Sequence, residues 1–254
     1  RIGHQNPDLV KPALGPKEPW AYRNKMQMPV GGTKGDIQMG FYAMGSHDIV
    51  QGTNCPIQDE GNNIIAQACY QIAKEFDIEP YDEHTGKGVL RHIIGRIGQS
   101  GWMIILVTAT EQLPYKEKWV EKLTERIPQV ETIVHNVNGK RTNVILGPKN
   151  NILYGDGTIT DHIKDLQFTL SPHSFFQVNP EQTTVLYDQA LEYADLKGDE
   201  TVIDAYCGTG TISLFLAHKA KHVIGIEIVE PAIINARENA QRNGYDNTEF
   251  IVAD

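Results

Sequence analysis

The stretch that most constrains this chain is Thr201–Ala217, TVIDAYCGTGTISLFLA, with HVIGIE following at His222–Glu227. An apolar pair, Val202 and Ile203, stops at Asp204; a Gly-x-Gly turn follows at Gly208 and Gly210, and then a helix-like run begins. A second short apolar run, Val223–Ile226, ends in Glu227. That order predicts the opening β-α-β of a nucleotide-binding type of sheet. Its glycines let the backbone approach a ligand, and the acid at the second strand end is placed for a ribose.

The whole chain is 254 residues, enough for one large or two modest domains with a real core. At 40% apolar and 22% charged its composition is that of ordinary globular proteins. No apolar run approaches the ~18 residues of a membrane span, and RIGHQNPDLVKPALGPKEPW lacks the layout of a signal peptide. Three dispersed cysteines, Cys55, Cys69 and Cys207, make no disulfide framework, which favours a reducing, cytoplasmic setting. The net charge of −9 is uneven: residues 171–254 hold 5 Lys+Arg against 13 Asp+Glu, residues 1–170 hold 18 against 19. The acidic C-terminal part is thus the poorer candidate for lying on a phosphate backbone.

In chain order, residues 1–22 are Pro-rich and aperiodic, a strap. Residues 23–53 read as strands and hairpins, and Asn63–Phe76 as a helix with Ile64, Ile65, Ala68, Cys69, Ile72 and Phe76 on its apolar face. Two strands are expected over 88–108, a helix over Lys116–Arg126, then a strand pair at Val130–Asn138 and Thr142–Leu146. More strand follows at Ile159–Leu170. This predicts a compact α+β domain over residues 1–170. SPHSFFQVN, Ser171–Asn179, reads as a hinge. Beyond it, a helix at Glu181–Ala194 (apolar at Val185, Leu186, Ala190 and Leu191) precedes the α/β unit of residues 171–254. Pro231 and Gly244 bracket a further helix. The chain begins without Met and stops after the strand-like EFIVAD, so a fragment of a longer protein is expected: a doubly wound domain cut after three strands would leave apolar surface bare.

The acids identify the ligand chemistry. Dinucleotide sites carry GxGxxG, but Ser213 stands where the third glycine would be. Asp204, ahead of the glycines, suits a ligand with an ammonium group rather than a pyrophosphate at the helix N-terminus. S-adenosylmethionine is such a ligand, with Glu227 accepting from both ribose hydroxyls and Asp254 from an adenine amino group.

SPHSFFQVNPEQTTVLYDQA, DAYCGTGTISLFLA and GIEIVEPAIINARENAQRNG together resemble the RNA (uracil-5-)-methyltransferase family that modifies 23S rRNA and tRNA. The resemblance runs upstream through YRNKMQMPV, NCPIQ and LRHIIGRIG, and so covers nearly the whole chain. It implies a Rossmann-like class I methyltransferase domain, first half present, behind a smaller α+β RNA-binding domain. It implies that Gln177, Tyr206 and Glu227 contact the methyl donor, that Gly208 and Gly210 shape the turn beneath it, and that Asp204 and Asp254 support it. In this family a cysteine thiolate adds to C6 of uracil, C5 attacks the donor methyl, and a base removes the C5 proton. That cysteine and base belong to the later part of the domain and are expected beyond Asp254. Cys207 is expected to be packing and Cys69 core. Many members hold a [4Fe–4S] cluster; Cys55 matches its C-P cysteine, and the other three ligands would precede Arg1.

The resemblance further implies that Arg23, Lys25, Lys34, Lys87, Arg91, His92 and Arg96 grip RNA, 23S rRNA foremost, while a base is flipped into the site. Read without it, they are solvated strand faces. The protein is expected to act as a monomer away from membranes. Two other readings stay open: a nicotinamide dehydrogenase, disfavoured by Ser213, and a non-catalytic RNA-binding module with a vestigial donor site.

Overall fold

Period-two alternation near the N-terminus becomes the edge of a mixed seven-stranded sheet in the computed structural model, which describes Asn6 and residues 10–254. Its strands are β1 (Lys25–Thr33), β2 (Asp36–Tyr42), β3 (Ile49–Gln51), β4 (Leu90–Ile97), β5 (Trp102–Thr108), β6 (Val130–Val137) and β7 (Lys149–Tyr154). They lie in the order β3-β2-β1-β4-β5-β6-β7, antiparallel except for the β5–β6 pair, which α2 (Lys116–Arg126) connects. The strap expected over residues 1–22 lies partly outside the described residues. From residue 10 it is exposed and irregular, with the Lys11 ammonium 5.4 Å from the ring centre of Tyr193.

Helix α1 (Glu60–Glu75) starts ahead of the apolar stripe because its cap sets the turn: the Asp59 carboxylate accepts the Gly61 N–H at 2.8 Å. Ile65, Cys69 and Ile72 are fully buried, whereas Ile64, expected on the same face, is 39% exposed. The apolar sides of α1 and α2 cover one face of the sheet, with Trp119 and Leu123 as the α2 anchors.

The strand expected at Thr142–Leu146 is irregular, and β7 pairs with β6 in its place. Two asparagine side chains account for the difference. The Asn138 amide donates to the Val144 and Ile145 carbonyls at 2.6 and 3.0 Å, and Asn136 Oδ1 accepts the Gly147 N–H at 2.8 Å. Backbone groups satisfied by side chains in this way have no need of a ladder.

The other face of the sheet is not solvent. Ile94, Met103, Ile105, Val107 and Val134 share one core with the hairpin β8 (Ile159–Ile163) and β9 (Leu166–Leu170), and with Phe176, Cys207 and Phe250 further on. Strands β4 to β6, covered on both sides, are therefore buried almost throughout.

Beyond the hairpin, α3 (Pro180–Ala194) opens with Pro180 and is capped by Asn179, which accepts the Gln182 N–H at 3.1 Å. It buries Thr183 and Tyr187 rather than the Val185–Leu186 side, because Tyr187 packs edge-on against Phe215 at 5.5 Å; Leu186 is 58% exposed. There follow β10 (Thr201–Ala205), α4 (Thr211–Ala217), β11 (His222–Glu227), α5 (Glu230–Arg242) and β12 (Thr248–Val252). The three strands form a parallel sheet in the order β10-β11-β12.

Ser171–Asn179, expected as a hinge, is stitched down instead. The Asn24 N–H donates to the Val178 carbonyl at 3.0 Å, Arg96 Nη2 donates to the Ser174 carbonyl at 2.7 Å, and Phe176 packs on Phe168. No helix among the described residues is long and apolar enough to cross a membrane.

Candidate functional site

The site is built at the C-terminal ends of β10, β11 and β12, where the turn Tyr206–Gly210 passes from strand to helix. Tyr206, Gly208 and Gly210 all have left-handed backbones, with φ of 67°, 55° and 80°. Glycine adopts this conformation at no steric cost; Tyr206 does so under strain, and the residue stands 86% exposed. The Cys207 N–H donates to the Ile226 carbonyl at 2.9 Å, which lays the turn across the end of β11. A Cβ on Gly225 would lie 2.5 Å from the Phe250 ring and 2.9 Å from Cys207 Sγ, so the cysteine fills the space beneath the turn. Its thiol is pushed up to about 12 by burial and by the nearby Asp204 and Glu227 carboxylates. At neutral pH it is a packed thiol, not a nucleophile.

Glu227 and Gly208 come together at the end of β11. One Glu227 oxygen accepts the Gly208 N–H at 3.3 Å and the other accepts the Val229 N–H at 3.0 Å, which fixes the carboxylate at the strand end. Beside it opens a cleft of about 200 Å³, walled by Gly208, Thr209 and Glu227 on one side and by Ser171, His173 and Phe175 on the other. Pro231 and Asn235 at the start of α5 close its end.

Asp204 and Gln177 belong to a second group beside the first. Asp204 accepts the Ser213 hydroxyl, and burial holds its carboxyl above the usual range while that hydrogen bond works against the rise. Gln177 bonds to the Tyr187 hydroxyl, which lies 2.9 Å from Thr211 Oγ1. This places both residues at the N-terminal turn of α4, outside the cleft walls. Asp254 is exposed beyond β12 and does not line the cleft.

Sequence reasoning missed three supports. Tyr187 links Gln177 to α4. Asn239, 1% exposed, donates to the Thr209 carbonyl at 3.1 Å and accepts the Thr169 N–H at 3.3 Å, tying the glycine turn to the hairpin. Its signal was available: an asparagine on the stripe of Ile233, Ala236 and Ala240, all buried. Arg96 holds the loop that walls the cleft, through Ser174.

The expected basic face is corrected at three positions. Arg91, His92 and Arg96 are only 2%, 5% and 2% exposed, because β4 is a central strand covered on both faces. Arg91 is a structural cross-link: its guanidinium donates to the Asn138 and Lys140 carbonyls, pairs with Glu83 at 3.1 Å and lies 4.3 Å from the Tyr81 ring centre. Lys25 is half-buried and lowered to about 8 by burial, with Arg96 and Arg23 adding repulsion. Lys34 and Lys87 remain at the surface.

Cys55 is half-buried, its backbone N–H donating to Asn63 Oδ1 at 3.0 Å. Cys69 is fully buried and its thiol is raised by burial. Among the described residues no group of three His, Cys, Asp or Glu side chains is placed to hold a metal ion. The chain's three cysteines therefore do not fit a four-thiolate cluster on their own.

Comparison with known proteins bears on the fold that carries this geometry. Residues 196–254 match the family described as "Methyltransferase domain". A Halalkalibacterium halodurans protein named uncharacterized RNA methyltransferase is 50% identical over 256 residues, covering 100% of this chain and 56% of that protein. One of the same name from Clostridium tetani is 50% identical over 247 residues, covering 96% and 54%. The chain thus spans a little over half the length of these relatives. Among solved structures, Pyrococcus abyssi tRNA (uracil-54, C5)-methyltransferase in complex with S-adenosyl-L-homocysteine superposes with a TM-score of 0.78. It is 26% identical, over 94% of this chain and 57% of that one. The fold is thus that of the Rossmann-like class I methyltransferases, and at half identity along its full length the chain is similar to part of these proteins named RNA methyltransferase.

Proposed function

We propose that this chain supplies the methyl-donor site and part of the RNA-binding surface of an S-adenosylmethionine-dependent RNA (uracil-C5)-methyltransferase. The observation that carries the reading is the Glu227 carboxylate at the end of β11. It is fixed by the Gly208 and Val229 N–H groups and borders the cleft. A carboxylate held by two backbone donors keeps lone pairs for two vicinal hydroxyls, as a ribose offers. The donor set fits S-adenosylmethionine, which supplies an electrophilic methyl group when bound. Gly208 allows close approach, Gln177 and Asp204 orient polar groups at the α4 end, and Asp254 is proposed for the adenine side. Residues 1–170 are proposed as the RNA-recognition domain and residues 171–254 as the donor domain.

Attack of uracil C5 on a methyl group needs prior thiolate addition at C6. Neither Cys69 nor Cys207 is available for that, both thiols being raised by burial. We assign the nucleophile and the base to sequence beyond these 254 residues, as the longer relatives permit. Cys55 is proposed as one cluster ligand in such a longer protein. On the substrate, 23S rRNA is the leading candidate, in a protein working as a monomer in the cytoplasm. The tRNA reading is favoured by one observation, the likeness to a tRNA enzyme at a TM-score of 0.78.

Calorimetric titration tests the donor site. S-adenosylmethionine is expected to bind and NAD not to, and Glu227→Ala to weaken binding by roughly ten-fold or more, the worth of a charge-assisted pair of hydrogen bonds. Equal binding by Glu227→Ala, or NAD binding alone, overturns the assignment. These 254 residues by themselves are expected to give no 5-methyluridine in digested RNA.

A further inference from the structure

Away from the donor site, two clefts of about 250 and 360 Å³ share Tyr42, His47 and Glu83 and so form one groove. It lies between the β2–β3 turn, the loop at residues 81–84 and the loop at residues 142–145. None of its residues takes part in the donor site. Its wall is aromatic: Tyr42 ends β2, 37% exposed, and packs edge-to-face with His47 at 5.2 Å. Its floor is polar and incompletely bonded. His92 lines it while only 5% exposed, and neither His92 Nδ1 nor the neighbouring Arg91 Nε has a hydrogen-bond partner. Buried polar atoms of this kind ordinarily have partners, so two in one groove point to something that supplies them.

The chemistry narrows the occupant. A free anion meets the carboxylates of Glu83 and Asp48 on the walls, and a metal ion finds no group of three ligands among the described residues. An apolar ligand would leave the floor unsatisfied. A flat, neutral ring with donors and acceptors along one edge satisfies both wall and floor. The rim supplies charge for what such a ring is attached to. Lys140 and Arg141 are exposed there, with Lys140 held through its carbonyl by Arg91 and Arg141 donating to the His84 carbonyl at 2.7 Å. Lys87 stands on the same loop, paired through its backbone with Asp82.

We propose that this groove is a second base-binding pocket, taking one unstacked nucleobase of the RNA against Tyr42 while Lys87, Lys140 and Arg141 hold its phosphates. Single-stranded RNA is recognised in this way elsewhere, by aromatic stacking with edge hydrogen bonds. The inference rests on the reading of the chain as an RNA methyltransferase. It adds that the seven-stranded sheet grips a base, not only backbone, and does so at its β2–β3 edge.

The test uses fluorescence anisotropy with S-adenosylmethionine present, titrating a short labelled oligoadenylate and an abasic oligoribophosphate of equal length. Tyr42→Ala is expected to weaken oligoadenylate binding by roughly ten-fold or more and to leave abasic binding unchanged, while Tyr42→Phe, which keeps the ring, binds as the parent does. Tyr42 is partly exposed at a strand end, and circular dichroism checks that the variant folds; His92→Gln gives an independent second reading from the floor. Tyr42→Ala and His92→Gln that leave oligoadenylate binding unchanged, or weaken both ligands equally, overturn the pocket while leaving RNA binding itself standing. If neither strand binds the parent chain, the RNA reading fails and the pocket with it, whatever the donor titration gives.

Discussion

The two larger sheets of this molecule treat apolar side chains in opposite ways. In the seven-stranded sheet, β4, β5 and β6 bury nearly every residue, and even Arg91 and Arg96 are enclosed. In the three-stranded sheet, β10 alternates exposed and half-buried positions, and Ile203, Ile251 and Val252 are 64%, 37% and 44% exposed. The first sheet holds the fold together; the second presents strand ends, glycines and acids. The main core and the donor site are thus set apart, joined by the apolar cluster that runs from Ile94 to Phe250 and by the hydrogen bonds of Asn24 and Arg96 to the linker.

Substitutions sharpen the contrast. The largest effect is expected at Trp119, fully buried under the first sheet: Trp119→Ala should cost about 3–5 kcal/mol in urea unfolding. A smaller loss there would mean the sheet is less closed than its burial indicates. His92 comes next and is read by pH. Burial, with Arg91 adding to it, lowers His92 from 6.5 to about 4, so the folded state keeps the ring neutral where the unfolded state protonates it. Stability therefore falls as pH drops from about 6.5 to 4 and levels off below. His92→Gln should remove up to about 3 kcal/mol of that acid-side loss; an unchanged pH profile would assign it to other groups.

In the second sheet, Gly225→Ala drives a methyl group into Phe250 and Cys207. It should cost about 1–3 kcal/mol and weaken S-adenosylmethionine binding with it. Donor affinity that survives the loss of stability would separate the turn from its packing. Ile203→Ser is expected to move stability by less than about 0.5 kcal/mol. A loss comparable to that of a core residue would show that the exposed face is covered in solution.

The β-α-β around Asp204–Glu227 was legible because strand, glycine turn and helix are all local signals, and each left its mark within a few residues. The Gly208–Glu227 contact joins the ends of two adjacent strands, 19 residues apart, and left no local signal. The burial of Arg91 and Arg96 was not legible: LRHIIGRI reads equally as a strand with one wet face, and only the arrival of β8, β9 and Phe176 closes that face. The strand at Thr142–Leu146 failed for a different, local reason, since Asn136 and Asn138 just upstream took over backbone groups in and beside it. Tyr187 was missed because a helix's apolar stripe says which side is greasy, not which hydroxyl a neighbour needs.

The stitched linker has a consequence in time rather than space. Asn24, beside the first strand, reaches Asp161 across a sequence separation of 137 residues, and Arg96 reaches Ser174 across 78. At ribosomal speed the earlier strand waits on the order of ten seconds for the partner that closes it. During that interval the emerging sheet has one face open to whatever binds nascent chains, and the donor turn is still unmade.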